Sequence, residues 1–386
     1  MEQPSAAAVF DAIVVGAGPA GCNAAARLAA AGARVLLLEK EKLPRYKTCG
    51  GAVVARAAKY GELPAPPVVQ RALPATTLHL LTAGLHFEVQ RPEPFLFMTM
   101  RAAVDAWWCD RARAAGAEVR DACSVQGLVQ ERESVEVQTP SGRLRARWVL
   151  GADGARSRVA RWAGWEADVP AVPALEWEVP VREETLRRFA GAARFDFEVV
   201  PAGYAWVFPK GEHLSVGVLS TRRGAQDLNG VLQHYMERLG IEPSGTVQRH
   251  GALLPVAPRP GGAALGRVLL CGDAAGFADP VTGEGISYAL QSGALAAAAV
   301  LAGAPEPSRV RSHYRRALEQ EILGELRWAR RLGKILERPA LRTALFRRAG
   351  EPLCEAMVDV VSGRRSYHLS LYSPAHLGKL LRLLRS

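Results

Sequence analysis

The chain has 386 residues, 49% of them hydrophobic and 23% charged, with a formal net charge of +11. That balance excludes a disordered chain or a fibrous repeat and describes a globular protein with ample core, built as one large unit or two intertwined domains. The basic surplus suits an anionic substrate, an anionic membrane surface or simply a solvated basic face; the arginines do not alternate with aromatics as on a nucleic-acid platform, so no nucleic-acid partner is expected.

The N-terminal stretch reads as a βαβ unit. Residues 12–15 form a short apolar, partly β-branched run, the signature of a buried strand. Gly16, Gly18 and Gly21 follow at G-x-G-x-x-G spacing around Pro19 and Ala20, and residues 22–31 predict an alanine-rich helix. A second strand, 35–38, ends at Glu39 and Lys40. Gly16 permits the turn, Gly18 lets the backbone approach a pyrophosphate, and Gly21 lets helix and strand pack closely. The helix N-terminus faces the phosphates and Glu39 accepts hydrogen bonds from a ribose. Together these parts predict a dinucleotide site.

Residues 52–60 predict a helix, 77–81 and 85–89 a hairpin around Ala83-Gly84, and 95–100 a strand. Residues 101–115 predict a helix ending at Gly116, with Arg101 at its start. Strands are expected at 118–121, 124–130 (which includes Val125), 134–139 and 144–150. From about residue 172 the pattern becomes short strands, at 175–181, 193–200, 204–208 and 214–219, an antiparallel insert rather than further βαβ units. Helices are predicted at 225–239 and 285–301, and the basic stretch 309–386 reads as helical with interruptions at Pro339, Pro352 and Pro374. Within it, 376–385 is amphipathic, the pattern of an interfacial helix and equally of a helix packed on its own domain.

Six scattered cysteines form no C-x-x-C and have no histidine at ligand spacing, so neither a metal site nor a disulfide framework is expected. No signal peptide is read at the N-terminus, and the apolar run 294–302 is too short to span a bilayer. The expected location is cytoplasmic, with peripheral membrane contact as the second reading.

Two further fingerprints follow the first. Residues 148–159 run from a strand through Gly151-Ala-Asp153-Gly154 into a helix, and 267–276 end a strand in Gly272-Asp273, followed by Pro280-Val-Thr-Gly283-Glu-Gly285-Ile286. An aspartate at a strand end accepts bonds from ribityl hydroxyls, and a glycine-opened helix N-terminus stabilises negative charge on a flavin ring. The three fingerprints in this order resemble FAD-dependent oxidoreductases of the para-hydroxybenzoate hydroxylase type, over about residues 11–301. The resemblance implies one FAD-binding fold, discontinuous in sequence, and no second fold for NAD(P)H.

Two segments narrow the branch. Pro44-Arg-Tyr-Lys-Thr-Cys49-Gly50-Gly51 resembles the P-x-x-x-x-C-G-G signature of the geranylgeranyl reductase family. Tyr204-Ala-Trp206-Val-Phe208-Pro-Lys210, with the later Val216-Gly217, resembles that family's Y-x-W-x-F-P-K segment. Such enzymes saturate C=C bonds of isoprenoid chains. The implied fold is α/β: a Rossmann-type FAD domain (1–75, 98–170, 262–305), an antiparallel substrate domain (76–97, 171–261) and a C-terminal helical region (306–386). The implied cofactor set is Gly16, Gly18, Pro19, Ala20, Gly21, Glu39, Lys40, Cys49, Gly50, Gly51, Arg101, Val125, Asp153, Gly272, Asp273, Pro280, Gly283, Gly285 and Ile286.

On the substrate side, Tyr204, Trp206 and Phe208 share one strand face. That face suits a long apolar chain and a developing cation, and is equally a sheet core. Lys210 reads as a diphosphate ligand or an exposed loop lysine, and Cys49 as a proton donor or a pocket wall. Arg101 reads as the family's FAD-contacting arginine or as a surface residue. The catalytic set is Cys49, Tyr204 and Trp206, and the expected electron donor is NAD(P)H or a ferredoxin-like protein. A flavin monooxygenase is the rival enzyme; the tryptophan signature of flavin halogenases is missing. A flavin-binding carrier without turnover is the third class.

Overall fold

A computed structural model describes residues 9–221, 227–303 and 306–371. The βαβ start forms as strand Phe10–Val15, helix Pro19–Ala30 and strand Val35–Leu38, the two strands parallel with Ala12 opposite Val35 and Val15 opposite Leu38. Both are buried on either face, which explains their uninterrupted apolar runs. They lie inside an eight-stranded sheet whose path runs Ala264–Leu265, Val268–Leu270, Gly142–Gly151, Phe10–Val15, Val35–Leu38, Glu118–Arg120. The hairpin Gly127–Gln130 and Val135–Thr139 flanks it antiparallel on Gly142–Gly151.

A seven-stranded sheet forms from chain segments on either side of residue 100. Its order is Gln248–Pro255, Ala171–Pro180, His213–Ser220, Gly203–Pro209, Ala193–Phe197, Ala75–Leu80, Leu85–Gln90. All its pairings are antiparallel except Ala193–Phe197 with Ala75–Leu80. A small third sheet joins Ala52–Val54, Leu96–Thr99 and Val69–Leu73. The fold is thus α/β with an antiparallel sheet and C-terminal helices.

Two elements depart from expectation. Residues 52–60 are not one helix: Ala52–Val54 pairs with Leu96–Thr99, and only Ala55–Lys59 coils, as a 3₁₀ turn. The β-branched pair Val53-Val54 prefers the pleated edge, and tertiary pairing decides. Helix Glu183–Phe189 lies between two strands of the second sheet, in a stretch with no apolar periodicity long enough to announce it. The interruption expected at Pro352 takes the form of a kink: Pro339–Val361 breaks at Ala349, whose φ of −146° leaves the helical region three residues before the proline.

Helix Ile286–Gly303 is 18 residues long and apolar enough to cross a membrane by length and composition, yet it is 72% buried inside the fold, between Pro19–Ala30 and Pro307–Leu318. The C-terminal helices divide between the sheets. Pro307–Leu318 packs on Ile286–Gly303, whereas Pro339–Val361 lies on the Leu85–Gln90 edge of the second sheet. The amphipathic stretch 376–385 and Pro374 lie outside the described residues, as do Ala225 and Gln226 at the start of the helix expected at 225–239, seen as Leu228–Arg238.

Candidate active site

One cavity runs between the two large sheets. Its first end is the N-terminus of helix Pro19–Ala30, where Gly18, Pro19 and Ala20 line it. That terminus has no side-chain cap and no acidic residue in its first turn, so its free N–H groups and positive dipole end are open to an anion. A methyl group added at Gly18 would meet only an Arg45 nitrogen, at 4.0 Å, and one at Gly154 would meet nothing. Gly16, by contrast, holds φ +106° with the Ala152 carbonyl 2.4 Å from where a Cβ would sit, so no side chain fits there.

Below the helix start lies a charge cluster. Glu39, 3% exposed, accepts the Ala17 N–H at 2.9 Å and the Glu41 N–H at 3.1 Å, which fixes its carboxylate. Arg45 bridges Glu39 at 3.1 Å and Asp105 at 2.9 Å. Arg101 grips the same fully buried Asp105 through two bonds, of 2.9 and 2.8 Å. Arg101 is therefore a buried cavity residue, 4% exposed, and not a surface arginine.

The middle of the cavity is the Cys49-Gly50-Gly51 turn. Gly51 takes φ +68°, and a Cβ there would lie 2.1 Å from the Thr99 carbonyl. The turn is held from below by Lys210, whose ammonium donates to the Gly50 carbonyl at 2.5 Å and to the Thr99 carbonyl at 2.7 Å. Lys210 is fully buried and does not line the cavity, and burial pushes its ammonium below the usual lysine range. Neither sequence reading of Lys210 survives: it is no head-group ligand and no exposed loop residue. It directly follows the strand Gly203–Pro209, and its side chain is buried.

Tyr204, Trp206 and Phe208 form the floor, with ring centroids 6.2 and 6.0 Å apart along the strand and Phe195 edge-on to Tyr204 and Phe208. All three are below 9% exposed and belong to a hydrophobic cluster, so the face is core and cavity wall at once. Gly217, opposite Trp206 on the next strand, leaves the space the indole fills, since a Cβ there would sit 2.0 Å from the ring. The indole N–H has no partner. Beyond the aromatics the walls are apolar, including Leu78, Phe87, Phe197, Met357 and Val358, the last two from the C-terminal helix.

The far wall is the turn from Asp279 to Ile286. Gly283, Gly285 and Ile286 line the cavity with Gly272 and Asp273, whereas Pro280 does not. The turn is tied down from several sides. Asp279, 1% exposed, accepts Val281 N–H at 2.8 Å and the Tyr367 hydroxyl at 2.7 Å. Tyr204 donates to the Thr282 carbonyl at 2.5 Å. Arg56 pairs with Glu284 at 2.6 Å and reaches Ser287 and Tyr288. Asp273 itself meets Lys47 at 3.2 Å.

Of the sequence-derived cofactor set, Gly18, Pro19, Ala20, Cys49, Gly50, Gly51, Arg101, Gly272, Asp273, Gly283, Gly285 and Ile286 line this one cavity. Gly16, Gly21, Glu39, Lys40, Val125 and Asp153 stand outside its lining. Val125 is buried in the core beside the first sheet, and Lys40 is exposed, paired with Glu41. Asp153 caps the next helix, accepting Ser157 Oγ at 2.6 Å and the Arg158 and Val159 N–H groups. Its carboxylate is engaged with the chain itself, while its neighbours Ala152 and Gly154 line the cavity. Sequence reasoning missed Arg45, Arg56 and Glu176. The signal for Glu176 was present: two glutamates, 176 and 178, alternate within the otherwise apolar run 175–179.

The family description Pyridine nucleotide-disulphide oxidoreductase matches residues 10–169. A geranylgeranyl diphosphate reductase of Rhodobacter capsulatus is 32% identical over 76% of this chain and 75% of its own length. A digeranylgeranylglycerophospholipid reductase of Methanopyrus kandleri is 33% identical over 85% of this chain and 90% of its own. A solved geranylgeranyl bacteriochlorophyll reductase-like protein from Thermoplasma acidophilum superposes with a TM-score of 0.80 at 21% identity, covering 97% of this chain and 99% of that one. The halogenase PltM shares the fold at TM-score 0.70 and 16% identity, over 92% of this chain and 82% of its own. The uncapped helix start, the open ground before Gly18 and Gly154, and the long cleft to the glycine turn at 283–285 fit FAD. The chain belongs to the geranylgeranyl reductase family of FAD-dependent oxidoreductases.

Proposed function

We propose that this protein saturates C=C bonds in an isoprenoid chain of the geranylgeranyl type. The observation that carries the reading is that the dinucleotide cleft and the Tyr204–Trp206–Phe208 floor open into a single cavity whose walls beyond the aromatics, from Leu78 and Phe87 to Met357 and Val358, are mostly apolar. A polar small substrate would leave that surface unsatisfied, whereas a prenyl chain buries it.

In this reading the N–H groups at the start of helix Pro19–Ala30 hold the pyrophosphate, Glu39 faces the adenosine ribose and Asp273 the ribityl chain. Bound FAD, once reduced, supplies the hydride. The Cys49-Gly50-Gly51 turn shapes the space over the aromatic floor, and Lys210 keeps that turn in place. The ring faces of Tyr204 and Trp206 stabilise positive charge developing on an alkene carbon. The apolar walls exclude water and dioxygen from the reacting end. NAD(P)H or a ferredoxin-like protein is the electron donor.

The test is anaerobic. Protein reduced with dithionite is given geranylgeranyl diphosphate or a prenylated quinone, and product masses are read. A gain of two hydrogens per event supports the reading. No anaerobic product, with one oxygen gained in air with NADPH, makes the protein a monooxygenase.

A further inference from the structure

A polar stripe crosses the second sheet beneath the Cys49 turn. Glu176 is 1% exposed, yet it lines the cavity. Its Oε2 accepts the Cys49 N–H at 2.7 Å and the Tyr46 hydroxyl at 3.2 Å, and its Oε1 accepts the Ser215 hydroxyl at 2.7 Å. Two residues along the same strand face, Glu178 meets His213 Nε2 at 2.9 Å, and the His213 side chain is 19% exposed. The other faces are also occupied. His250, opposite Glu176 on the outer strand, stacks on Tyr46 with centroids 3.9 Å apart, and its Nε2 has no partner. Lys210 lies near both glutamates. Burial, together with the charge of Glu178, raises the Glu176 carboxyl above the ordinary range.

Two carboxyls on one buried face are costly. Backbone support for Cys49 would be met by a neutral amide. What the amide would lack is a proton to give.

We propose that Glu176 is the proton donor of the site. The inference rests on the reductase reading. Saturating one C=C adds a hydride to one carbon and a proton to the other. The proton leaves the Glu176 carboxyl as the new C–H bond forms, and the resulting carboxylate takes a replacement proton from solvent. No oxidant is consumed.

The experiment combines infrared titration with single-turnover kinetics on the FAD-loaded protein. Wild type is expected to show a protonated-carboxyl band that persists above the ordinary glutamate range and that Glu176→Gln removes. Glu178→Gln is expected to move its titration to lower pH, because a like charge is gone. Glu176→Gln keeps acceptors for Cys49 and Tyr46, so cofactor binding and dithionite reduction stay at wild-type level. Its alkene step is expected to fall about 10²-fold or more, with loss of the ionisation in the pH profile and partial rescue by Glu176→Asp. An unchanged rate and profile in Glu176→Gln overturns the proposal, as does a wild-type spectrum without the band. If the band is present but no prenyl substrate is reduced, the reductase reading fails and the proton store stands.

Discussion

Replacing Lys210 with methionine tests the least expected contact in the site. The substitution keeps an unbranched apolar stem and removes the ammonium, leaving the Gly50 and Thr99 carbonyls buried without their donor. A buried acceptor stripped of its partner costs about 1–3 kcal/mol, so two cost about 2–6 kcal/mol. Relief of the buried ammonium's own desolvation offsets part of this, as its lowered pKa shows, and a net loss of about 3 kcal/mol remains. With an unfolding entropy of about 2.1 cal/mol/K per residue over the chain, that loss lowers Tm by about 4 °C. Lys42→Met, at a side chain 78% exposed, is the control and stays within about 0.5 kcal/mol of wild type. The assay is calorimetry on FAD-loaded protein, with flavin fluorescence reporting retention of the cofactor. A Lys210→Met melting temperature equal to that of Lys42→Met would refute the argument that this ammonium holds the turn.

Three other outcomes follow from the same geometry. Gly217→Val drives a branched side chain into space held by the Trp206 indole, and overpacking is expected to cost about 1–3 kcal/mol in urea titration, with a shift in tryptophan fluorescence. Asp153→Ala removes three hydrogen bonds at the start of helix Arg158–Ala163 and is expected to cost about 1–2 kcal/mol while leaving FAD affinity unchanged. Because the folded Glu176 carboxyl titrates above its unfolded value, its contribution to stability is complete at low pH and shrinks as pH rises past the ordinary glutamate range. Glu176→Gln should therefore gain stability relative to wild type as pH rises above the ordinary glutamate range, read from paired melts, and a pH-independent difference would contradict the assignment.

The first βαβ unit was fully legible, since three glycines, two apolar runs and an acid constrain one another locally. The aromatic alternation at 204–208 was equally plain, because period-2 patterning fixes a shared face. Lys210 was misread because nothing local distinguishes a lysine after Phe-Pro that turns inward from one that turns out; its carbonyl partners lie 111 and 160 residues away in the chain. The same holds for Arg56 and Glu284, a pair 228 residues apart. Residues 52–60 failed for another reason: the pairing of Ala52–Val54 with Leu96–Thr99 outweighs alanine's helix preference.

The lid over the aromatic floor is made last. Helix Pro339–Val361 and Tyr367 close the apolar end and pin Asp279, but every other wall of the cavity is encoded before residue 304. A ribosome adding about 5–20 residues per second leaves the trough open for several seconds while those final segments are translated. During that interval the nascent chain carries a sticky, unroofed surface with its cofactor cleft already formed. Early FAD loading would shorten exposure to chaperones and aggregation, so flavin supply during translation should govern how much of this protein accumulates in soluble form.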